Sequence, residues 1–363
     1  DYCSHGCVPR GVFVRILHEN PEFHGAKRRF LPFLPENGCK DRIGANRMNT
    51  EFQSEQMAEM ARLYYMEGRN QTEIGERFGI SRFKVAQYIQ EAARRGIVEI
   101  KIHTPVKRDG GLEKELRERL GMKHAVVIDN SRLTHEETLA GLGKAGAGLV
   151  KSLLEPGVTL GIAWGKTIAT IAGRMEADRM LPVHIVSLTG SAGLMNPELD
   201  TQRLAWKVAG LYQADVSLFH MPVYAAGEKD REVFMRQPVI REAVKRTEQM
   251  KVLLSGVSAT SSLLKNSKIW KEYQEPEDRE REAAGSCCGY LFDADGNTDC
   301  FPLNRKVTGA SLAAVRRTEF SIGAALGRHK APAVLGAVRA GLINVLVTDI
   351  NLAGAVIENG ISI

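Results

Sequence analysis

No apolar run in this 363-residue chain is long enough to cross a bilayer as a helix. The richest, Leu139 to Leu154, is interrupted by Lys144, Lys151 and four glycines. No secretory leader with a charged start and an apolar middle is evident. The six cysteines, Cys3, Cys7, Cys39, Cys287, Cys288 and Cys300, form no repeating framework. In a chain this long they read as reduced thiols, and the expected compartment is the cytoplasm, with no membrane partner. Cys3, His5, Cys7, His18, His24 and Cys39 lack the paired ligand spacing of a zinc finger, so no metal is expected. There is no full Walker A loop, and no dinucleotide or other cofactor is expected.

The length instead indicates two domains plus an extension, and the 44% hydrophobic content is enough for a full core. Residues 1–47 mix Pro, Gly, Arg and His without period and are read as a disordered or spurious N-terminal extension. Residues 48–105 and 106–363 then form the two domains. The net charge of +6 permits an anionic partner without requiring one.

Residues 70–100, "NQTEIGERFGISRFKVAQYIQEAARRGIVEI", hold two short amphipathic helices. Asn70 and Glu73 have the spacing of a capping box. Ile74 and Phe78 share a face, Gly79 ends the helix, and Ser81 caps the next, whose Val85, Ile89 and Ala92 repeat at the helical period. At about 100° per residue this turns Phe83, Lys84, Gln87, Glu91 and Arg94 outward. An upstream helix carrying Met57, Met60, Leu63 and Tyr64 would pack behind the pair, and Val98, Ile100 and Ile102 alternate as in a half-buried strand. A solvated helical hairpin would show the first features. The three-helix unit followed by a strand instead describes a winged helix-turn-helix, with Arg82, Phe83, Lys84, Gln87, Tyr88, Glu91 and Arg94 as its DNA-facing set. Gln87 can bond an adenine edge bidentately, while Lys84 and Arg94 are placed to hold phosphates.

Beyond the polar hinge "HTPVKRDGG" the pattern changes. Leu112, Leu116 and Leu120 mark a helix ended by Gly121. Short apolar runs ("HAVVID", "GVTLGIAW", "VHIVSLTG", "ADVSLF", "KVLLSGVS", "EFSIGAAL", "INVLVTD") then alternate with helical patterns. This is an α/β fold with a mostly parallel sheet covered on both faces. Ligands of such folds bind beyond the carboxyl ends of the strands. The residues there are Gly165, Lys166 and Thr167, Thr189 and Gly190, Gly256, and Asp349, with Lys330 at the start of a later helix. Backbone donors, hydroxyls and two lysines at one sheet edge suit a phosphorylated polyhydroxy ligand. An ordinary strand-to-helix turn is the plainer reading of Gly165-Lys166-Thr167 taken alone. "DADGNTD", Asp293 to Asp299, is similar to a calcium loop, but its glycine is misplaced and Asn304 stands where the bidentate Glu belongs. It is expected to be a turn between two strands.

Taken in series, the helix-turn-helix segment followed by "GIAWGKT", "HMPVY", "LLSGVS", "GYLFDADG" and "AGLINVLVTD" resembles the SorC family of bacterial transcriptional regulators, from about Met57 to Gly360. Each motif is weak, but six in the family's order are specific. The resemblance implies a sugar-binding domain with the fold of glucosamine-6-phosphate deaminase and ribose-5-phosphate isomerase relatives. It also implies operator DNA as partner, a phosphorylated sugar or polyol effector controlling a carbohydrate operon, and a homodimer or homotetramer. By position, Gly165, Lys166 and Thr167 correspond to the phosphate turn, Lys330 to a basic contact and Asp349 to a sugar contact. Where the family usually has Gly-Asp-Ile, this chain has Gly285-Ser286-Cys287. Ser286 replaces the carboxylate, which puts the effector's identity in question and leaves the fold untouched. Two other readings stand beside this one. One is a sugar-phosphate isomerase or deaminase with a helical appendage, for which Asp349 and His329 are the evident acid-base candidates. The other is a DNA-binding protein whose core takes no ligand.

Overall fold

A computed structural model describes residues 12–16, 44–102, 106–177, 181–193, 196–261 and 272–360. The chain divides into two compact units, Asp1–Pro105 and Val106–Ile363.

In the first unit, α1 (Gly44–Tyr65) precedes α2 (Gln71–Phe78) and α3 (Arg82–Arg94). Asn70 Oδ1 accepts from the Thr72 and Glu73 amides, and Glu73 accepts from the Asn70 amide, so both halves of the capping box are made. Gly79 closes α2 in the left-handed conformation at φ 68°, and Ser81 Oγ accepts from the Lys84 amide at 3.3 Å. Met60, Leu63, Ile74, Val85 and Ile89 form one small core, and Met57, Ala61, Ala92 and Val98 another. Tyr65 packs against both, whereas Tyr64, expected in that role, lies outside them and is 36% exposed. The helical period puts position 64 one step off the buried stripe.

Gly75 explains the tightness of the turn. A Cβ there would lie 2.6 Å from the Ile80 carbonyl oxygen, so α2 can meet the turn only where there is no side chain. The strand expected after α3 is β2 (Val98–Ile102). Its antiparallel partner is β1 (Val12–Ile16), with Val12 opposite Ile102 and Ile16 opposite Val98. Residues 12–16 therefore enter the fold, although the aperiodic composition around them places them outside it. The Cys3, His5, Cys7, His18, His24 and Cys39 group lies outside the described residues.

The second unit opens with α4 (Gly110–Leu120), capped by Asp109 and closed by Gly121. Its main sheet contains β3 (His124–Ile128), β4 (Thr159–Ile162), β5 (His184–Ser187), β6 (Asp215–Ser217), β7 (Met250–Gly256), β11 (Phe320–Ala324) and β12 (Val345–Asp349). The order is β3-β12-β11-β7-β4-β5-β6 and every pairing is parallel. A small antiparallel sheet joins β8 (Ser258–Ala259), β9 (Gly285–Cys287) and β10 (Tyr290–Phe292).

Alternate residues of the long strands enter different cores, as the period of two requires. Val126, Ile128, Val252 and Leu254 pack with α5 (His135–Leu153), α6 (Lys166–Ala172) and α7 (Thr201–Tyr212). Val127 and Leu253 lie on the other face with Leu116 of α4. That face continues into α8 (Glu228–Met235), α9 (Pro238–Glu248), α11 (Leu312–Arg317), α12 (Ala331–Arg339) and α13 (Ile350–Gly360), with the short α10 (Pro276–Glu280) between α9 and α11 in the chain. Leu335, Leu352 and Val356 are buried there beside Leu291 and Phe292 of the small sheet. The sheet's double cover explains why its strands read as continuous apolar runs.

Asp293 Oδ1 accepts from the Asp295 and Asn297 amides, making a local side-chain turn after β10. A 3₁₀ turn, Pro302–Lys306, comes next, so this segment does not join two strands as expected. Asn304 closes it by donating to the Leu291 and Thr298 carbonyls and accepting from the Leu291 amide. No helix among the described residues is long and apolar enough to cross a membrane.

Candidate functional site

The outer face of α3 follows from its three buried residues, Val85, Ile89 and Ala92, which fix the rotation of the helix. Arg82, Phe83, Lys84, Gln87 and Arg94 are exposed. Phe83, at 69%, is more open than an apolar ring usually remains without a partner. The Arg82 guanidinium lies 5.0 Å from the Phe83 ring centroid, and the Lys84 ammonium 5.2 Å from that of Tyr88. Tyr88 itself is half-buried between the two helical cores, so most of its ring serves packing.

Glu91 bonds Arg94 at 2.8 Å and Arg95 at 2.6 Å. Those two guanidinium partners lower the Glu91 carboxyl to about 2. Arg94 is thereby pinned along the helix. Among the described residues, Arg82, Lys84 and Gln87 are the exposed long polar side chains from the expected set that carry no such ion pair. The result is a convex helix with a cationic N-terminal half and two exposed amides, Gln87 and Gln90, a surface of the kind that enters a DNA major groove.

In the second unit a cavity of about 210 Å³ opens at the carboxyl ends of β4, β7 and β11. Gly165, Lys166, Thr167, Gly256, Ser286 and Lys330 line it, joining residues widely separated in the chain. Gly165 begins α6 with φ 122° and its amide donates to the Leu199 carbonyl. Gly165 at the N-cap has no side chain, and among the described residues none caps α6, so amides of its first turn are left for a ligand or water. The helix has only seven residues, and positive charge must come mainly from the lysines. Lys166 is exposed, whereas Lys330 is half-buried and its Nζ donates to the Val257 carbonyl at 3.3 Å. Burial lowers the Lys330 ammonium from its ordinary value, and the Asp349 carboxylate partly offsets this. Ser286 is buried in β9 opposite Ser258.

Three residues from the same sheet edge do not line this cavity. Asp349 is 2% exposed, and its two oxygens accept from the Gly327 and Leu352 amides. Thr189 Oγ1 donates to the Gly190 carbonyl, and Gly190 is packed so closely that a Cβ would lie 2.2 Å from the Met221 carbonyl oxygen. Sequence reasoning finds the strand ends but not these local backbone demands.

It also misses Ser255, Cys287 and Cys288, which line the cavity. Ser255 Oγ donates to the Gly256 carbonyl and accepts from the Cys288 amide and the Cys287 thiol. Only the adjacency of the two cysteines is visible in the sequence. A larger cleft, about 620 Å³ between α4, α5 and β3, contains none of the residues expected at the strand ends.

The family model of the sugar-binding domain, Sugar-bind, matches residues 104–358. The sorbitol operon regulator of Klebsiella pneumoniae is 27% identical over 301 residues, which cover 81% of this chain and 94% of the relative. The transcriptional regulator LsrR of Escherichia coli K12 is 25% identical over 316 residues, 85% of this chain and 96% of its own. Among solved structures, the full-length sorbitol operon regulator SorC from Klebsiella pneumoniae aligns with a TM-score of 0.63 at 25% identity, covering 84% of this chain and 99% of that one. A transcriptional regulator from Streptococcus pneumoniae TIGR4 aligns at 0.64 with 18% identity, covering 68% of this chain and 96% of that one, a likeness of fold.

Proposed function

The chain belongs to the SorC family of transcriptional regulators, through the sugar-binding domain that spans most of its length, and from that premise we propose that it controls a carbohydrate or polyol catabolic operon in response to a phosphorylated sugar. In this reading residues 48–105, joined by β1, bind the operator, and residues 106–363 bind the effector. The observation that carries it is the cavity at the carboxyl ends of β4, β7 and β11, which gathers an uncapped helix start and two lysines around one small volume.

The phosphate lies against Gly165, Lys166 and Thr167, with Lys330 supplying the second cation. Gly256 and Ser286 face the polyol portion. A serine in the carboxylate's place offers a neutral contact that donates as well as accepts, which selects a different hydroxyl pattern from that of Asp-bearing relatives. Operator DNA is read by α3, with Gln87 toward base edges and Arg82 and Lys84 toward the backbone. Arg94 reaches phosphate only by leaving Glu91.

One helix-turn-helix reads too few base pairs for useful specificity, so the regulator works as a homodimer or homotetramer. Trp206 of α7 and Val233 and Val239 of α8 and α9 are at least 57% exposed and supply apolar surface for assembly. With operator DNA as partner, the place of work is the cytoplasm.

The enzyme reading needs a positioned general base. Asp349 is committed to two backbone amides and His329 is exposed, so neither is held over the cavity as such a base would be. The test is operator binding by fluorescence anisotropy across a panel of sugar phosphates and their unphosphorylated parents. One phosphorylated compound is expected to shift operator affinity. No operator binding, or turnover of a sugar phosphate at enzymatic rates, would overturn the proposal.

A further inference from the structure

The cavity wall contains chemistry that sugar recognition does not use. Cys287 ends β9 and Cys288 begins the two-residue loop that leads into β10, with Tyr290 paired to Cys287 across the hairpin. Both loop residues have positive φ, 52° at Cys288 and 84° at Gly289. Such a loop is a type I′ turn, whose first central position ordinarily holds Asn, Asp or Gly. A cysteine there opposes the local preference of the backbone, and an exception of that kind points to a role for the side chain.

The neighbouring groups indicate which role. The two sulfurs are 3.8 Å apart, and both residues line the cavity while being almost wholly buried otherwise. Ser255 Oγ lies 3.4 Å from Cys287 Sγ and 3.3 Å from the Cys288 amide nitrogen. The bond from Cys288 holds the Cys287 thiol below its ordinary range, against the effect of burial. Cys288 is pushed up, first by that same bond and then by burial. One sulfur is thus favoured as nucleophile and its neighbour as proton holder, in a space open to small solutes.

We propose that Cys287 and Cys288 form an oxidation site for small hydroperoxides, which converts the adjacent thiols into a vicinal disulfide inside the cavity. Cys287 sulfur attacks one peroxide oxygen, the O–O bond breaks, and the departing oxygen leaves protonated as water or an alcohol. The resulting sulfenic acid on Cys287 is then attacked by the Cys288 sulfur, forming the S–S bond and releasing water after the Cys288 proton is transferred. Two thiols and one hydroperoxide give one disulfide, one alcohol (or water) and one water. Adjacent residues have Cα atoms about 3.8 Å apart, shorter than the span of an ordinary disulfide. The bond is therefore strained and readily reduced by dithiols, as suits reversible modification. The site does not depend on the ligand being a sugar phosphate.

The test uses the full chain carrying Cys300→Ser, because Cys300 lies in the same tryptic fragment between Arg281 and Arg305 and is half-exposed. The protein is treated with one equivalent of hydrogen peroxide, alkylated with N-ethylmaleimide and digested. The expected fragment holding Cys287 and Cys288 is lighter by two hydrogens and takes up no maleimide until a dithiol is added. Full alkylation of both cysteines, a disulfide from either to another cysteine, or sulfinic acid on either one would overturn the proposal. A dimedone trap resolves the order of steps: Cys288→Ser is expected to give an adduct at Cys287, and Cys287→Ser none at Cys288. The reverse pattern would overturn the assignment of the nucleophile.

Discussion

Replacing the two cavity lysines one at a time separates a built phosphate site from a merely polar cleft. Lys166 is exposed and Lys330 half-buried. A charge pair exposed to water contributes about 1 kcal/mol at most, or roughly fivefold in affinity. A charge-assisted bond withdrawn from water contributes about 1.5–3 kcal/mol, or roughly 10-fold to 150-fold. Lys166→Ala should therefore weaken a sugar phosphate by no more than about fivefold, and Lys330→Met by at least about tenfold. The Met side chain nearly preserves the volume of the buried stem and removes the ammonium together with its bond to the Val257 carbonyl. The unphosphorylated parent sugar should lose less than about threefold in either variant, since its hydroxyls gain little from a full charge. Isothermal calorimetry measures all six affinities, and thermal unfolding checks that each variant remains folded. The reasoning fails if the sugar and its phosphate weaken equally in Lys330→Met, or if Lys166→Ala costs more than Lys330→Met.

Gly75→Val should collapse the helix-turn-helix, because its side chain would meet the Ile80 carbonyl; loss of operator binding with unchanged sugar-phosphate affinity is expected in parallel titrations. Gln87→Ala should alter base preference at one operator position by about 1–3 kcal/mol, while Lys84→Ala should weaken all sequences alike and flatten the salt dependence; footprinting and salt titrations distinguish the two. Glu91 should titrate near 2 by NMR, with the Arg94 and Arg95 bonds as cause. Its folded value lies below the unfolded one, so its contribution is present above the ordinary carboxylate range and is lost as pH falls through about 2; in an Arg94→Ala, Arg95→Ala chain the midpoint should return toward the ordinary value. Asp349→Asn should strand one of the two amides it holds, the part-buried Gly327 or the buried Leu352, and destabilise the second unit by about 1–3 kcal/mol, read from its denaturant midpoint.

Local chemistry made much of this legible. Asn70, Glu73, Gly79 and Ser81 act within a few residues of themselves, and the structure shows each cap where the spacing places it. The parallel sheet was legible because double burial turns its strands into apolar runs. What escaped depends on contacts that spacing does not encode. Gly75 reads as a poor helix residue until Ile80 is seen against it. Val12–Ile16 sits in aperiodic surroundings, and its partner strand lies far along the chain. Asp349 ends β12, as the apolar run before it implies, but nothing in the sequence reveals that two backbone amides occupy its oxygens. Ser255 meets Cys287 through the fold alone.

The cavity's walls come from four stretches of chain, around positions 165, 256, 287 and 330, and each belongs to a different turn of the α/β fold. A ligand seated there acts as a non-covalent staple across loops that would otherwise close at the expense of chain entropy. Its binding adds RT ln(1 + [L]/Kd) to the stability of this unit, about 2.7 kcal/mol at a hundredfold excess over Kd. The populations of opened and protease-sensitive forms fall by the same factor. Under the proposed function, a rise in sugar phosphate would then lengthen the life of the regulator at the same time as it changes its hold on DNA, and a cell starved of that sugar would clear the protein faster.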